Sequence, residues 1–174
     1  MSFLTSLLSG IGSGVVSGII ASVLLNKYYW SLKPNLIISD KIAVNDDNEY
    51  HIKIINKSHF YITNIYIKIQ LVTVSIGNGG SISNVFELNF PSNKLTIINP
   101  YNRKDKDATY AVRLGISKNL EDEWIEDEHT YLKFIIYCSN EHNNSSKLFE
   151  KIFYKKNLCI KHGNFKFGTS CEIE

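Results

Sequence analysis

The chain has 174 residues, of which 21% are charged, and a formal net charge of +2. This length suits one domain of ordinary size with an appendage. A charge so close to neutral argues against a protein that binds duplex nucleic acid. The three cysteines lack CxxC or any other metal-ligand spacing, so we expect free thiols in a reducing compartment rather than disulfides.

The first predicted element is an apolar helix at the N-terminus. No charged residue occurs from Phe3 to Leu25, and aromatic residues with Lys27 follow directly. As a helix, this stretch would be about 34 Å long, enough to cross a bilayer core. The sequence therefore predicts a single transmembrane helix with an interfacial end over residues 1–30. Because lysines follow the helix and none precedes it, the positive-inside rule places the N-terminus outside and the rest in the cytoplasm.

Small residues repeat every four positions within this helix and form two neighbouring rows. One row is Gly10, Gly14, Gly18 and Ser22, and the other is Ser9, Ser13 and Ser17. In lipid, small residues let helix backbones approach closely, so the first row is predicted to mediate homo-oligomerisation. A small face this wide indicates that each helix has two neighbours, as in a ring. We expect this ring to contain four subunits. The serine row would then line a pore, and a packed bundle without a lumen is the alternative.

An all-β domain is predicted after a linker at residues 31–34. Apolar residues alternate with polar ones in "YHIKII", where Tyr50, Ile52 and Ile54 share a face, and again in "IYIKIQL". The glycines from Gly77 to Gly80 indicate a hairpin turn. About eight or nine short strands over residues 35–174 predict an antiparallel, immunoglobulin-like β-sandwich, with a small β-barrel as the alternative.

No catalytic constellation is visible in the sequence. The five histidines lack the HxH, HxxxH or HExxH spacing that brings two imidazoles to one metal. No serine or cysteine lies in a nucleophile elbow. We therefore expect no enzyme activity, no cofactor and no metal site.

Two charged segments remain as candidate sites. In "YNRKDKDATYAVR", basic groups lie beside aromatic rings, a combination that binds phosphates and bases. The predicted ligand-binding residues are Arg103, Lys104, Lys106 and Arg113. A solvated loop between strands is the alternative. The acidic segment Glu121–Glu128 is predicted to be a solvated segment held down by Trp124 and Ile125, or else a cation-attracting rim in an oligomer.

The predicted N-terminal helix over 3–25 is rich in small residues, and strand patterns such as "YHIKIINKS" follow it. This architecture resembles the small membrane effectors of bacterial anti-phage systems of the CBASS, Hailong and type III CRISPR types. The resemblance implies a homo-oligomeric effector in the bacterial inner membrane. Its helices would form a pore or ion channel, gated by a cytosolic β domain that senses a nucleotide or oligonucleotide made by a partner nucleotidyltransferase. This chain departs from the two- and four-helix members in having one predicted span. A membrane-tethered β-sandwich adaptor with a simple anchor is the alternative.

Overall fold

The structure, a computed structural model, describes residues 2–88, 93–116, 120–125 and 127–174. The chain divides into two compact units, one ending at Lys33 and the other running from Pro34 to Glu174.

The first unit is a helix, α1, Ser2–Ser31. At its end the Lys33 N–H donates to the Trp30 carbonyl at 3.2 Å, and the Lys33 ammonium lies 3.5 Å from the centre of the Trp30 ring. Pro34 follows and cannot donate a further helical hydrogen bond. Every side chain that is described within the helix, residues 12–30, is exposed.

The prediction of a transmembrane helix is wrong. Among the helices that the structure describes, none combines the length and the apolar character needed to cross a bilayer. Glycine and serine, which are less apolar than valine or isoleucine, make up more than half of residues 9–22. The absence of a helix that could cross a bilayer among the described residues corrects three predictions. These are the fold class with its membrane span, the ion-channel and pore-forming character, and the single-pass placement in a bacterial inner membrane.

The two rows of small residues show local bonding along α1. The Ser17 hydroxyl donates to the Gly14 carbonyl at 3.0 Å, and the Ser22 hydroxyl donates to the Gly18 carbonyl at 2.8 Å. Such bonds satisfy the hydroxyls within their own helix. The pore-lining role predicted for Ser9, Ser13 and Ser17 required a helix in a bilayer, and the Ser9 side chain lies outside the described part of α1.

The second unit is mostly β-structure, with two very short helices. Its elements in chain order are β1 Leu36–Ile38, β2 Ile42–Val44, β3 Tyr50–Asn56, β4 Ile62–Gly77, β5 Gly80–Glu87, β6 Lys94–Ile98, β7 Ala111–Gly115, α2 Leu120–Glu123, β8 Thr130–Asn140, β9 Ser146–Phe153, α3 Lys156–Cys159 and β10 Ile160–His162. The predicted glycine hairpin is confirmed, since Gly77 pairs with Gly80.

The strands within the described residues form two five-stranded sheets. In the first sheet, β1 and β2 pair with successive parts of β3, β7 pairs with its other edge, and β10 lies beyond β2. In the second sheet, β8 pairs along most of β4, β5 and β6 share the opposite edge, and β9 lies beyond β8. The predicted immunoglobulin-like, wholly antiparallel arrangement is corrected here, because β10 runs parallel to β2.

One hydrophobic core is shared by the two sheets. It contains Ile52 and Ile54 of β3 together with Phe134 and Ile136 of β8. The alternating residues Ile65, Ile67, Ile69 and Leu71 of β4 are buried in it as well. The two-residue period of the sequence therefore identifies the inner faces of β3 and β4 correctly, because successive side chains of a strand point to opposite faces.

Candidate functional site

The outer face of the first sheet is covered by a C-terminal hairpin, which we define as residues 164–174. Its arms are joined by hydrogen bonds between Asn164 and Glu174, at 2.8 and 3.0 Å, and from the Lys166 N–H to the Glu172 carbonyl at 2.9 Å. Two glycines permit this course. Gly168 has a φ of +74°, and Gly163 has a φ of +120° at a position where a Cβ atom would collide with the Glu174 carbonyl oxygen.

Lys53 is a buried lysine beneath this hairpin. It belongs to β3, on the face opposite Ile52 and Ile54, yet it is only 2% exposed. Its ammonium group donates to the carbonyl of Lys166 at 2.5 Å and to that of Ser170 at 2.8 Å. Burial lowers the pKa of Lys53, since desolvation penalises its charged form, and Arg113 nearby adds to this effect while Cys171 opposes it.

Arg113 lies directly opposite Lys53 in the pairing of β3 with β7. Its Nη2 donates to the Phe165 carbonyl of the hairpin at 2.9 Å. Like charges directly opposite each other across two strands are destabilising. In this pair both cations are met by neutral carbonyl oxygens of the hairpin main chain, which compensate positive charge less well than an anion would.

A cavity of about 300 Å³ opens beside this pair of cations. It is lined by Lys53, Asp107, Ala108, Ala111, Arg113, Phe167 and Gly168. The cavity thus combines two cationic groups, one carboxylate and an aromatic ring. These are groups that can bind a phosphate, a hydroxyl and an apolar ring at one place.

The loop before β7 supplies one wall of the cavity through a turn built on Asp105. The Asp105 carboxylate accepts the Thr109 hydroxyl at 2.6 Å, the Thr109 N–H at 2.8 Å and the Asp107 N–H at 3.0 Å. These hydrogen bonds hold the pKa of Asp105 below its ordinary value. Ala108 adopts a φ of +47° in this turn, and Asp107 and Ala108 both line the cavity.

The four predicted ligand-binding residues are divided by the structure. Arg113 lines the cavity, whereas Arg103, Lys104 and Lys106 lie on the preceding loop and are not among its lining residues. Sequence reasoning missed Lys53, which the alternation of "YHIKII" places on the outward face of β3. The glycines of the C-terminal segment were the available signal, because they mark turns that let the chain fold back over that face.

A second cavity, of about 610 Å³, lies against the C-terminal hairpin. Its lining residues are Asp40, Lys41, Lys161, Lys166, Cys171, Glu172 and Ile173. This cavity already contains two carboxylates, Asp40 and Glu172, beside its lysines, and Lys166 pairs with Glu172 at 2.7 Å. The cavity beside Lys53 and Arg113 is therefore the stronger candidate for an anion.

The acidic segment is anchored by one of its two apolar residues. Trp124 is 1% exposed and belongs to the core, whereas Ile125 is 74% exposed.

The acidic segment also affects Tyr50. Burial raises the pKa of Tyr50 to about 12, and the negative charge of Glu121 and a hydrogen bond between Tyr50 and Glu121 add to this effect. Within the described residues, no three His, Cys, Asp or Glu side chains converge as a metal site.

Comparison with known proteins gives little to set beside this geometry. No family model matches the chain, and no curated protein matches it. Among solved structures, the chain is similar to Spo0M, a sporulation control protein from Bacillus subtilis, at 12% identity and a TM-score of 0.40. The similarity covers 70% of this chain and 48% of the Spo0M chain, so this chain spans about half the length of that protein. A similarity at this level carries no argument about function.

Proposed function

We propose that the β domain is a sensor that binds a phosphate group of a nucleotide or oligonucleotide signal between Lys53 and Arg113, in a chain that assembles into homo-oligomers through α1. The observation that carries this proposal is the direct opposition of two cations, one buried and one exposed, whose hydrogen bonds go to main-chain carbonyls. An anion bound there relieves the repulsion between them.

The cavity suits such a ligand in size and in chemistry. Its volume of about 300 Å³ is at the lower end of the range for small-molecule pockets. The Arg113 guanidinium presents donors in a planar fork that matches phosphate oxygens, and the Lys53 ammonium has three donors of which two are used by the hairpin. The Asp107 carboxylate accepts hydrogen bonds from a sugar hydroxyl or a base N–H.

The oligomeric part of the proposal is supported by the exposure of α1. Its valines, isoleucines and leucines from Val15 to Leu25 are each more than half exposed, and an exposed apolar surface of this extent marks an interaction site. The row of Gly10, Gly14, Gly18 and Ser22 allows a second helix to approach closely, since helix separation depends on side-chain size. A role as an anti-phage effector is proposed from the sequence resemblance alone.

The sensor proposal is tested by calorimetric titration of the full chain with AMP, ATP, cyclic di-AMP and inorganic phosphate, with adenosine as the uncharged control. We expect at least one phosphate-bearing compound to bind, adenosine not to bind, and the affinity to fall as salt is raised. Equal binding of adenosine and AMP, or no binding by any member of this panel at millimolar concentration, would contradict the proposal.

A further inference from the structure

We infer that the free edge of β5 pairs with β5 of a second copy of this chain, in antiparallel orientation about Asn84, so that the second sheets of two protomers join into one continuous sheet. This inference is independent of the proposed ligand and of the helix α1. It rests on the direction of the β5 main-chain groups, on the residues that β5 carries and on the position of its one charge.

The main-chain groups of alternate β5 residues point away from the sheet. The Leu88 N–H donates to the Ile69 carbonyl at 2.9 Å, and Leu88 continues the register in which Glu87 pairs with Gln70. Because bonded and non-bonded pairs alternate in an antiparallel ladder, Ile82, Asn84 and Phe86 bond to β4. The outward groups then belong to Ser81, Ser83, Val85 and Glu87, and no described strand pairs with that edge.

This edge lacks the features that normally prevent strand addition. All residues of β5 are exposed, it contains no proline, and Glu87 is its only charged residue. The opposite edge of the same sheet, β9, carries Lys147, Glu150 and Lys151. Charged side chains of this kind protect an edge strand from pairing with another chain. The contrast between the two edges of one sheet indicates that β5 is a pairing surface.

Two-fold symmetry selects one register that uses the whole outward edge. In an antiparallel pair related by a two-fold axis, one residue faces its own copy, and centring residues 81–87 places Asn84 there. Ser81 then faces Glu87 of the partner subunit, and Ser83 faces Val85 of the partner subunit. These are the residues whose N–H and C=O groups point outward, so all four form hydrogen-bonded pairs across the interface.

The same register brings apolar side chains together on one face. Ile82 and Phe86, which are 60% and 63% exposed, face Phe86 and Ile82 of the partner subunit, and such aromatic and β-branched pairs stabilise sheets. Phe86 also borders a cleft of about 340 Å³ that exposes Ile125. Pairing therefore reduces the exposure of Ile82 and Phe86 in both copies.

The single charge of β5 favours a second copy in antiparallel orientation. In this register the two Glu87 side chains lie at opposite ends of the interface, about 20 Å apart at roughly 3.3 Å per residue. A parallel pair of β5 strands would bring them side by side, and like charges so placed are destabilising. Glu87 already pairs with Lys68 of β4 at 3.4 Å, and only the antiparallel orientation keeps the two Glu87 side chains apart.

The test introduces charges at the position of Asn84, where each residue faces its own copy. We expect Asn84→Lys and Asn84→Glu each to weaken association of the full chain at least tenfold in sedimentation analysis, and an equal mixture of the two variants to restore it. Asn157→Lys makes the same chemical change at an exposed residue of α3 and should leave association unchanged.

Hydrogen exchange of the outward amides distinguishes this interface from association through α1. The amides of Ser81, Ser83, Val85 and Glu87 should exchange slowly in the associated wild type and rapidly in each single variant. The inference is overturned if these amides exchange rapidly in wild-type protein that is associated. It is also overturned if the chain remains monomeric, or if the mixture of variants fails to recover association.

Discussion

Lys53 shows how distant parts of the chain can bury a residue that the alternation of its strand directs outward. It lies at a position that the alternation of β3 directs outward, and the C-terminal hairpin converts that position into a buried one. The hairpin carbonyls satisfy two of its donors, but they do not neutralise its charge or that of Arg113 opposite. At the residue scale, this pair of adjacent cations is the chemical basis of the proposed anion site.

The lowered pKa of Lys53 gives a pH-dependent prediction with a definite sign. Between the lowered pKa and the ordinary value of 10.5, the unfolded chain binds more protons at this residue than the folded chain does, so stability contributed by Lys53 rises with pH. We expect the free energy of unfolding of the wild type, minus that of Lys53→Met, to increase as pH rises through this window. Above the window this difference should be constant.

Urea unfolding of both proteins from neutral pH to above 10.5 measures this gain. Burial raises the pKa values of Tyr50 and Tyr110, but neither tyrosine is among the groups that shift the pKa of Lys53, so the comparison between the two proteins removes their contributions. A difference between the two proteins that stays constant or falls with pH would show that Lys53 is not held in a desolvated site.

At the scale of elements, the acidic segment depends on one tryptophan. Trp124 is among the largest side chains of the core, and its neighbour Ile125 projects into solvent. We expect Trp124→Ala to lower the free energy of unfolding by about 3–5 kcal/mol, as for other buried aromatic residues. Ile125→Ala should change it by about 0.5 kcal/mol or less, as is usual for exposed positions. Chemical denaturation measures both, and equal effects of the two changes would contradict the assignment.

The inner faces of β3 and β4 were predictable because burial of one strand face imposes a two-residue period on nearby sequence positions. The site around Lys53 was not, because the carbonyl groups that cover this lysine lie as many as 117 positions away along the chain. Arg113 was identified from a segment rich in basic and aromatic residues, but its pairing with Lys53 depends on strand register. The absence of charge from Phe3 to Leu25 predicts a membrane span, but no helix among the described residues is long and apolar enough to be one.

At the scale of the whole molecule, assembly through α1 is tested by two glycines of the same helix. Gly14 belongs to the row with Gly10 and Gly18, whereas Gly12 lies off that row. A Cβ atom added at either Gly12 or Gly14 would have no neighbour within 4 Å among the described residues of the single chain, apart from the adjoining helix backbone. The two positions are therefore matched, and neither substitution should disturb the isolated chain through a steric clash.

We expect Gly14→Leu to reduce the oligomeric mass in light scattering, because a bulky residue in the row separates the helices. Gly12→Leu should have little effect, and equal loss from both would count against the glycine row as the contact.

The central claim is that the β domain binds a phosphate group at Arg113, and the chain's two arginines, Arg103 and Arg113, provide a matched comparison. Both Arg113→Ala and Arg103→Ala are first shown to unfold at similar urea concentration. Each variant is then titrated with the compound that the wild type binds best among AMP, ATP and cyclic di-AMP. Loss of a hydrogen bond to a charged group costs about 1.5–3 kcal/mol, so Arg113→Ala should bind at least about tenfold more weakly than the wild type, and Arg103→Ala should bind nearly as tightly. Unchanged affinity in Arg113→Ala, or an equal loss in both variants, would contradict a site at the Lys53–Arg113 pair.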